Sequence, residues 1–455
     1  MLRKIKFLLV LLIITAVNCY GQKISGRVLD IETKMPLEKV NIYSTTNETI
    51  GVATNKNGKF TLKHTFTKTD SISISLVGYK KYTLPISILK NNSKPIFLVK
   101  QIDQLEEVSI NTKKKRDRLK FEEIGNLNSG IFSFASKILD NKIFIAGGDE
   151  TLREDNYSKA VDRASMSGNF SISPKSISRY QEPSLNYKSY NDNLYVYTID
   201  NKTLKKFAIK LEKRAYHEMN FHNDFLYIFG GKKVSNFNGK EYLLNTIEVL
   251  DIKTQKAIID QVNPHKAVNF SSFVYKDHLI VIGGSKKVKK SGKKIFEDKI
   301  HLLNFSTGIW HEIGTMPNPR ETSAVLINDT VYLIGGFHNN PSNLIESWNL
   351  TNNKWKIEGK LFSDIEKPAL TYDDESIYIF DNRKIIRYNI KEKILKEYAI
   401  NLSLKSARIH YYNNALYILG GYRNKKYSKE PSSEIYKVNI SDFDNTATYR
   451  SKKII

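Results

Sequence analysis

The sequence predicts an all-β protein in two parts, a small sandwich followed by a ring of repeated four-stranded units. Three observations carry that expectation. From residue 143 onward a run of apolar residues closed by two glycines keeps returning: IFIAGG at 143–148, LYIFGG at 226–231, LIVIGG at 279–284, VYLIGG at 331–336 and LYILGG at 416–421. A tight polar turn precedes each copy, from Asp140-Asn141 to Asn413-Asn414, and Asn and Asp tolerate the positive φ that two-residue hairpins need. Before residue 110 the strands are short and do not repeat, with the period-two run Ile72-Ser73-Ile74-Ser75-Leu76 typical of a half-buried strand.

The N-terminus reads as a targeting segment. Arg3, Lys4 and Lys6 form a basic head, and Phe7 to Val17 is an apolar run too short to span a bilayer. Cys19-Tyr20-Gly21 offers a cleavage site before Gln22, so residues 1–21 are expected to be a signal peptide. The alternative is a lipoprotein acylated at Cys19, but Asn18 stands where Gly or Ala usually precedes a lipidated cysteine. Cys19 is the single cysteine, so its removal leaves a mature chain without disulfides or thiol chemistry. The expected location is exported: periplasmic or associated with the outer membrane, with the extracellular space as a further option.

Residues 22–110 carry Gly26-Arg27-Val28, Pro36-Leu37 with Val40-Asn41-Ile42, the turn stretch Thr54 to Phe60 and Leu76-Val77-Gly78-Tyr79, in that order. This resembles the carboxypeptidase regulatory-like domain, which implies a non-catalytic, transthyretin-like β-sandwich of seven strands. Such domains often stand at the N-terminus of envelope proteins exported by Bacteroidetes-like bacteria. Leu105-Glu106-Glu107-Val108 is similar to the short strand that follows this domain in outer-membrane transporters, but no barrel pattern follows it here. Residues 111–119 read as a charged linker, a solvated connector rather than a binding site.

Residues 120–455 hold the repeat. After each glycine doublet comes a variable loop and then a second hairpin, clearest at Ile345 to Trp355 and Ile300 to Trp310. A copy at 377–380 has exchanged its glycines for Asp381 and Asn382. The later doublets recur about every 40–53 residues, the period of four-stranded propeller blades. The Gly-Gly strands, the Glu346 to Trp348 stretch, the hairpin-closing Trp310 and Trp355, and the strand-opening Arg214 and Arg320 together resemble the kelch repeat, which implies a β-propeller. Six blades are favoured and seven are the alternative. In the six-blade reading Asn193 to Lys210 forms the outer half of the first blade, with 149–190 inserted before it. Phe121 to Ile124 and Thr446 to Lys452 compete to close the ring, which must close because an open propeller leaves unpaired edges.

The chemistry expected is binding. There is no G-x-S-x-G elbow, P-loop or H-E-x-x-H motif, and Asp373-Asp374-Glu375 sits where a hairpin turn belongs. No catalytic residue, metal site or cofactor is expected. Kelch-type copper oxidases need a Tyr–Cys crosslink, which a mature chain without cysteine cannot form. The resemblance to kelch-type sialic-acid mutarotases leaves a periplasmic sugar-modifying enzyme as the alternative.

The formal charge is +24. Much of it falls in loops after the doublets: Lys232-Lys233, the stretch from Lys286 to Lys294, Arg383-Lys384, and Arg423 with Lys425 and Lys426. In a kelch propeller these loops rim one mouth of the central channel. Arg214, Arg320, Lys286, Lys287 and Arg423 are therefore expected to attract a protein or an anionic glycan, with Phe337, His338 and Tyr422 stacking on it. The partner expected is not a nucleic acid, because no recognition helix or RNP-like strand is present.

Overall fold

The computed structural model describes residues 23–46, 50–67, 70–90, 94–100, 115–166, 173–183 and 188–454. The chain divides into two compact units, Met1–Lys113 and Lys114–Ile455. The expected signal segment, Cys19 and the Leu105 to Val108 stretch lie outside the described residues.

The first unit is a seven-stranded sandwich. Lys23–Asp30 pairs antiparallel with Lys59–Lys63 and parallel with Ile96–Leu98. The facing sheet runs in the order Gly51–Ala53, Asn41–Ser44, Ser71–Ser75, Tyr82–Pro85. Strict alternation builds the core: Phe60 and Leu62 turn inward while Lys59, Thr61 and Lys63 stay in water. They meet Ile24, Val28, Ile42, Ile72 and Ile74. The Gly78-Tyr79 motif has a visible purpose, since the Tyr79 hydroxyl donates to Asp30 at 2.7 Å. Backbone N–H groups of Thr33 and Glu32 bond the same carboxylate at 2.8 Å each. The Thr33 bond above all, helped by Tyr79, holds Asp30 down at about 2.

Among the described residues the second unit contains six sheets of four or five strands, each built on one of the repeated strands, besides three smaller sheets formed by the loops. The first runs Ala135–Leu139, Lys142–Ala146, Asn193–Thr198, Thr203–Lys210, with the stretch read as an outer hairpin in that place. The second to fourth sheets begin at Glu218, Ser271 and Ala324, the fifth at Ala369 and the sixth at Arg408. Their first strands neighbour one another in a cycle that returns from the sixth sheet to the first, so the ring is closed around a central channel. The hairpin turns work as their residues suggest: Asp140, Asn223, Lys276, Asn328 and Asn413 all take φ between 45° and 54°.

The glycine doublets turn where a side chain would collide. At Gly336, φ is 104° and an added Cβ would lie 2.4 Å from the Glu321 carbonyl oxygen. The degenerate copy solves the same problem differently. Asn382 and Arg383 take positive φ, and Ser376–Asp381 turns directly into Lys384–Asn389 without a loop.

Both candidate closing segments are used, in different sheets. Glu122–Asn126 is the outermost strand of the sixth sheet, paired with Glu434–Asn439. Arg450–Lys453 adds a fifth strand to the fifth sheet, against Ile394–Ala399. Residues 115–119, read as the end of a linker, belong to the second unit: Arg116 bridges to Thr446, and Leu119 bridges to Ile400 and is buried. The inserted stretch 149–190 holds the short strand Arg153–Glu154 and the helix Asn156–Met166. That strand pairs with Ser428–Pro431 of the sixth-sheet loop, covering the join between first and last sheets.

Candidate functional site

The channel mouth is ringed by backbone hydrogen bonds that pass from sheet to sheet. Tyr216 N–H donates to the Ser133 carbonyl at 2.7 Å, Asn269 to Tyr216 at 3.2 Å, Thr322 to Asn269 at 3.0 Å, and Ser133 to Ser406 at 3.3 Å. Ser133, Tyr216, Asn269 and Ser406 all have φ of 50–63°. Left-handed backbone at a non-glycine residue costs of order 1–3 kcal/mol and persists where the surroundings over-determine it, as at ligand clamps. Lys367, just ahead of the fifth sheet, reaches across this ring. Its ammonium donates to Ser133 Oγ at 3.2 Å and to Asn269 Oδ1, and lies 5.1 Å from the centre of the Tyr216 ring.

Below the ring lies a cavity of about 350 Å³ lined by the first strands of the sheets. Lys137, Glu218 and Arg408 are the charged residues that the first strands place there, beside the polar Asn220 and His410, and Lys367 also lines it. Arg408 Nη2 bonds Glu218 at 2.7 Å, and its Nε donates to the Phe134 carbonyl at 2.8 Å. The Lys137 ammonium has no hydrogen-bond or ion-pair partner among the described residues. Three basic groups thus line the space with one carboxylate, Glu218.

Burial pushes the Lys137 amine down, with Arg408 adding to the effect and Glu218 opposing it. Burial, again with Arg408, brings Lys367 to about 7. His410 holds Ser136 Oγ at 2.7 Å and is kept neutral by burial, at about 3. Among the described residues no group of three or more His, Cys, Asp or Glu side chains is placed to hold a metal ion.

The two arginines expected to grip a ligand do not face the channel. Arg214 is 0% exposed and Arg320 3%. Arg214 Nη2 bonds Glu248 at 2.7 Å and its Nη1 reaches the Gly230 carbonyl at 3.3 Å. Arg320 pairs with Glu346, and its Nε donates to the Gly335 carbonyl at 3.1 Å. The reason is structural: in these two sheets the arginine supplies a donor to the carbonyl of the first glycine of the doublet, and a glutamate of the third strand, Glu248 or Glu346, supplies the counter-charge. The third sheet meets the same need with two histidines. His265 Nε2 donates to the Gly283 carbonyl at 2.8 Å, and its Nδ1 meets His301 Nδ1 at 2.9 Å. Burial holds both rings below their usual range, so they are neutral and one donates to the other.

The remaining expected residues are scattered around the rim, and none lines the cavity. Lys286 is tied to Glu297 at 3.2 Å, while Lys287 is exposed. Arg423 is held by Glu434 at 3.0 Å and by the Tyr436 hydroxyl at 2.8 Å. Phe337 lies under the Lys294 ammonium at 4.5 Å, and exposed His338 bonds the Pro319 carbonyl at 2.6 Å. Tyr422 packs edge-on to Phe132, with the Lys429 ammonium 3.9 Å from its ring centre. Many rim lysines therefore already have local carboxylates. The sequence pattern points to the loops and passes over Lys137, Glu218, Lys367 and Arg408. Their signal was available as charged residues within, or just before, the first strand of a hairpin.

Comparison with known proteins agrees with this architecture. Residues 184–389 match the family model of the KLHDC2/KLHL20/DRC7 Kelch-repeats domain, and residues 24–110 match that of the CarboxypepD_reg-like domain. The Kelch repeat and BTB domain-containing protein 2 of Cowpox virus (strain GRI-90 / Grishak) is 27% identical over 139 residues, covering 30% of this chain and 24% of that protein. Alpha-scruin of Limulus polyphemus is 24% identical over 204 residues, covering 42% and 21%. The negative regulator of sporulation PMD1 of Saccharomyces cerevisiae is 30% identical over 134 residues, covering 27% and 7%. The matched segments thus span a quarter or less of these relatives. The structure of YjhT superposes with a TM-score of 0.52 at 14% identity, covering 68% of this chain and 96% of that one, a likeness of fold. The chain joins a carboxypeptidase regulatory-like domain to a kelch-repeat β-propeller.

Proposed function

We propose that this is an exported, non-enzymatic binding protein whose propeller takes an anionic group of a protein or glycan at the channel mouth. The observation that carries this reading is an excess of basic groups in a partly enclosed space: Lys137, Lys367 and Arg408 line the cavity with Glu218 as the one carboxylate of that lining, while Glu321 and Glu366 act on Lys367 from outside it. An entering carboxylate or sulfate would supply the missing counter-charge where water screens it least. Tyr216 and Tyr422 near the mouth offer apolar surface to a side chain or a sugar ring. The kelch-repeat likeness supports a protein as the partner class. The basic head and apolar run of residues 1–21 support export to the periplasm or outer membrane.

The test is binding of acidic peptides and acidic glycans to the mature chain at two salt concentrations. Affinity should fall as salt rises and be lost in a Lys137→Met, Lys367→Met double variant that still folds. Binding indifferent to both changes sinks the reading.

A mutarotase-like enzyme is the second reading, favoured by the Lys367 amine sitting at about 7 beside the channel. A group poised there can exchange a proton at neutral pH. Anomer interconversion of an acidic sugar, followed by NMR, should then accelerate with added protein and slow in Lys367→Met. An unchanged rate removes it.

A further inference from the structure

The outer edges of the six sheets are not alike. A free strand edge is a template for pairing with another chain, and proteins blunt it with charges, bulges or an added strand. Five of the six edges carry such devices. The outermost pairs of the first, third, fourth and sixth sheets each contain a register shift. The first edge also bears Lys205 and Lys206, the fourth Lys356 and Lys360, and the sixth Glu122 and Glu123. The fifth is covered by the basic strand Arg450–Lys453.

The second sheet has neither bulge nor covering strand, and the one charge within its edge strand is Asp260 at the end. Its edge strand Ala257–Asp260 reads AIID, pairs without irregularity against Ile247–Leu250, and is exposed along its whole length. Ile258 is 71% exposed and Ile259 56%, and they point to opposite faces because strand side chains alternate.

We propose that this edge is a self-association surface, at which two copies pair their 257–260 strands antiparallel into one continuous sheet. The backbone register permits it. Asp251 N–H donates to the Lys256 carbonyl at 3.0 Å, so Lys256, Ile258 and Asp260 direct their backbone groups inward. Alternation then leaves the N–H and C=O of Ala257 and Ile259 facing outward. An antiparallel self-pair centred on Ile258 sets Ala257 of each copy opposite Ile259 of the other, joining those outward groups. It also sets Ile258 against Ile258, and Lys256 of each copy against Asp260 of its mate.

The charges are therefore complementary under the two-fold operation itself, which singles out a second copy as the occupant. Asp260 Oδ1 already accepts from Val262 N–H at 2.9 Å, which ends the strand and leaves the other oxygen for Lys256. A contact of one short strand between two strongly basic molecules gives a weak dimer that depends on concentration.

The experiment is sedimentation velocity on the mature full chain across a concentration series. The sedimentation coefficient should rise with concentration. Ile258→Lys, at an exposed position that leaves the fold intact, should weaken the dimer by about tenfold or more, since it opposes like charges across the pair. Asp260→Lys should weaken it too, and Lys256→Asp combined with Asp260→Lys should restore it. Amide exchange at Ala257 and Ile259 should slow as concentration rises. A chain that stays monomeric at its highest soluble concentration overturns the proposal. So does a dimer that Ile258→Lys leaves unchanged, or one that the double charge reversal fails to restore.

Discussion

Arg320 and Lys137 are both basic residues at or near the start of an inner strand, and they have opposite fates. Arg320 is buried inside the fourth sheet with Glu346 on one nitrogen and the Gly335 and Asn318 carbonyls on the others. Lys137 projects into the channel with no partner among the described residues. An arginine fork with every hydrogen bond satisfied has nothing left for a ligand. An ammonium held away from bulk water with no hydrogen bond or ion pair of its own, feeling Glu218 only at a distance, still has most of its interaction to offer. The capacity to bind follows from what is left unpaired, and the amount of charge is a poor guide to it.

The largest expected effect tests the scaffold side of that contrast. Glu346→Gln leaves the Arg320 guanidinium buried without its carboxylate, which should cost about 3–5 kcal/mol of stability. Lys137→Met should cost nothing or stabilise, because it removes a desolvated charge. Urea unfolding of the two variants side by side measures both. Equal losses would erase the distinction between scaffold and site. The next effect down is Gly336→Ala. Its methyl would meet the Glu321 carbonyl at 2.4 Å in a left-handed backbone, for a loss of roughly 1–3 kcal/mol. Since Gly336 also abuts the Arg320 side chain, its loss should not add to that of Glu346→Gln in the double variant.

The fold was legible in the sequence because its devices are local. Five Gly-Gly strands with Asn or Asp turns before them state their own geometry, and the repeat of about 40–53 residues states the unit. The second hairpin of the first sheet was recognisable at Asn193 to Lys210 because it carries the same alternation as its counterparts. Ring closure was not legible. Phe121 to Ile124 and Thr446 to Lys452 both read as closing strands, and only the spatial order of sheets assigns Glu122–Asn126 to the sixth and Arg450–Lys453 to the fifth.

The site was legible only in part. Arg214 and Arg320 were visible as a motif, but the sequence does not say which way a guanidinium turns. Glu248 and Glu346, which decide it, lie 34 and 26 residues further on. Lys137, Glu218 and Arg408 converge from three sheets separated by long stretches of chain, and a repeat pattern carries no record of that meeting.

A smaller effect distinguishes the channel lysines from rim lysines by pH. Lys367 sits at about 7 in the folded chain, against roughly 10.4 when unfolded. Between those values the unfolded chain holds a proton that the folded chain has released, so stability rises with pH across that window. Below about pH 7 both states are protonated and the full desolvation penalty applies. The depressed Lys137 contributes with the same sign. Lys367→Met should flatten the rise, and so should a bound anion, which returns the proton to the amine. Unfolding midpoints from pH 6 to 10, an interval of roughly the width set by these two values, with and without an acidic ligand, follow all three cases.

The smallest effect belongs to the rim. Lys287 is exposed on the loop after Gly284, and charges in such positions contribute less than about 1 kcal/mol each. Their influence is felt at a distance, before contact, and is screened by salt. Lys287→Gln should therefore slow association with an anionic ligand slightly at low salt and leave dissociation unchanged. Lys137→Met should act the other way round, speeding dissociation with a weaker salt dependence. Surface plasmon resonance at two ionic strengths separates the two behaviours. If Lys287→Gln changed dissociation as much as Lys137→Met does, the ligand would be seated on the loops, and the channel would be a structural void with an accident of charge.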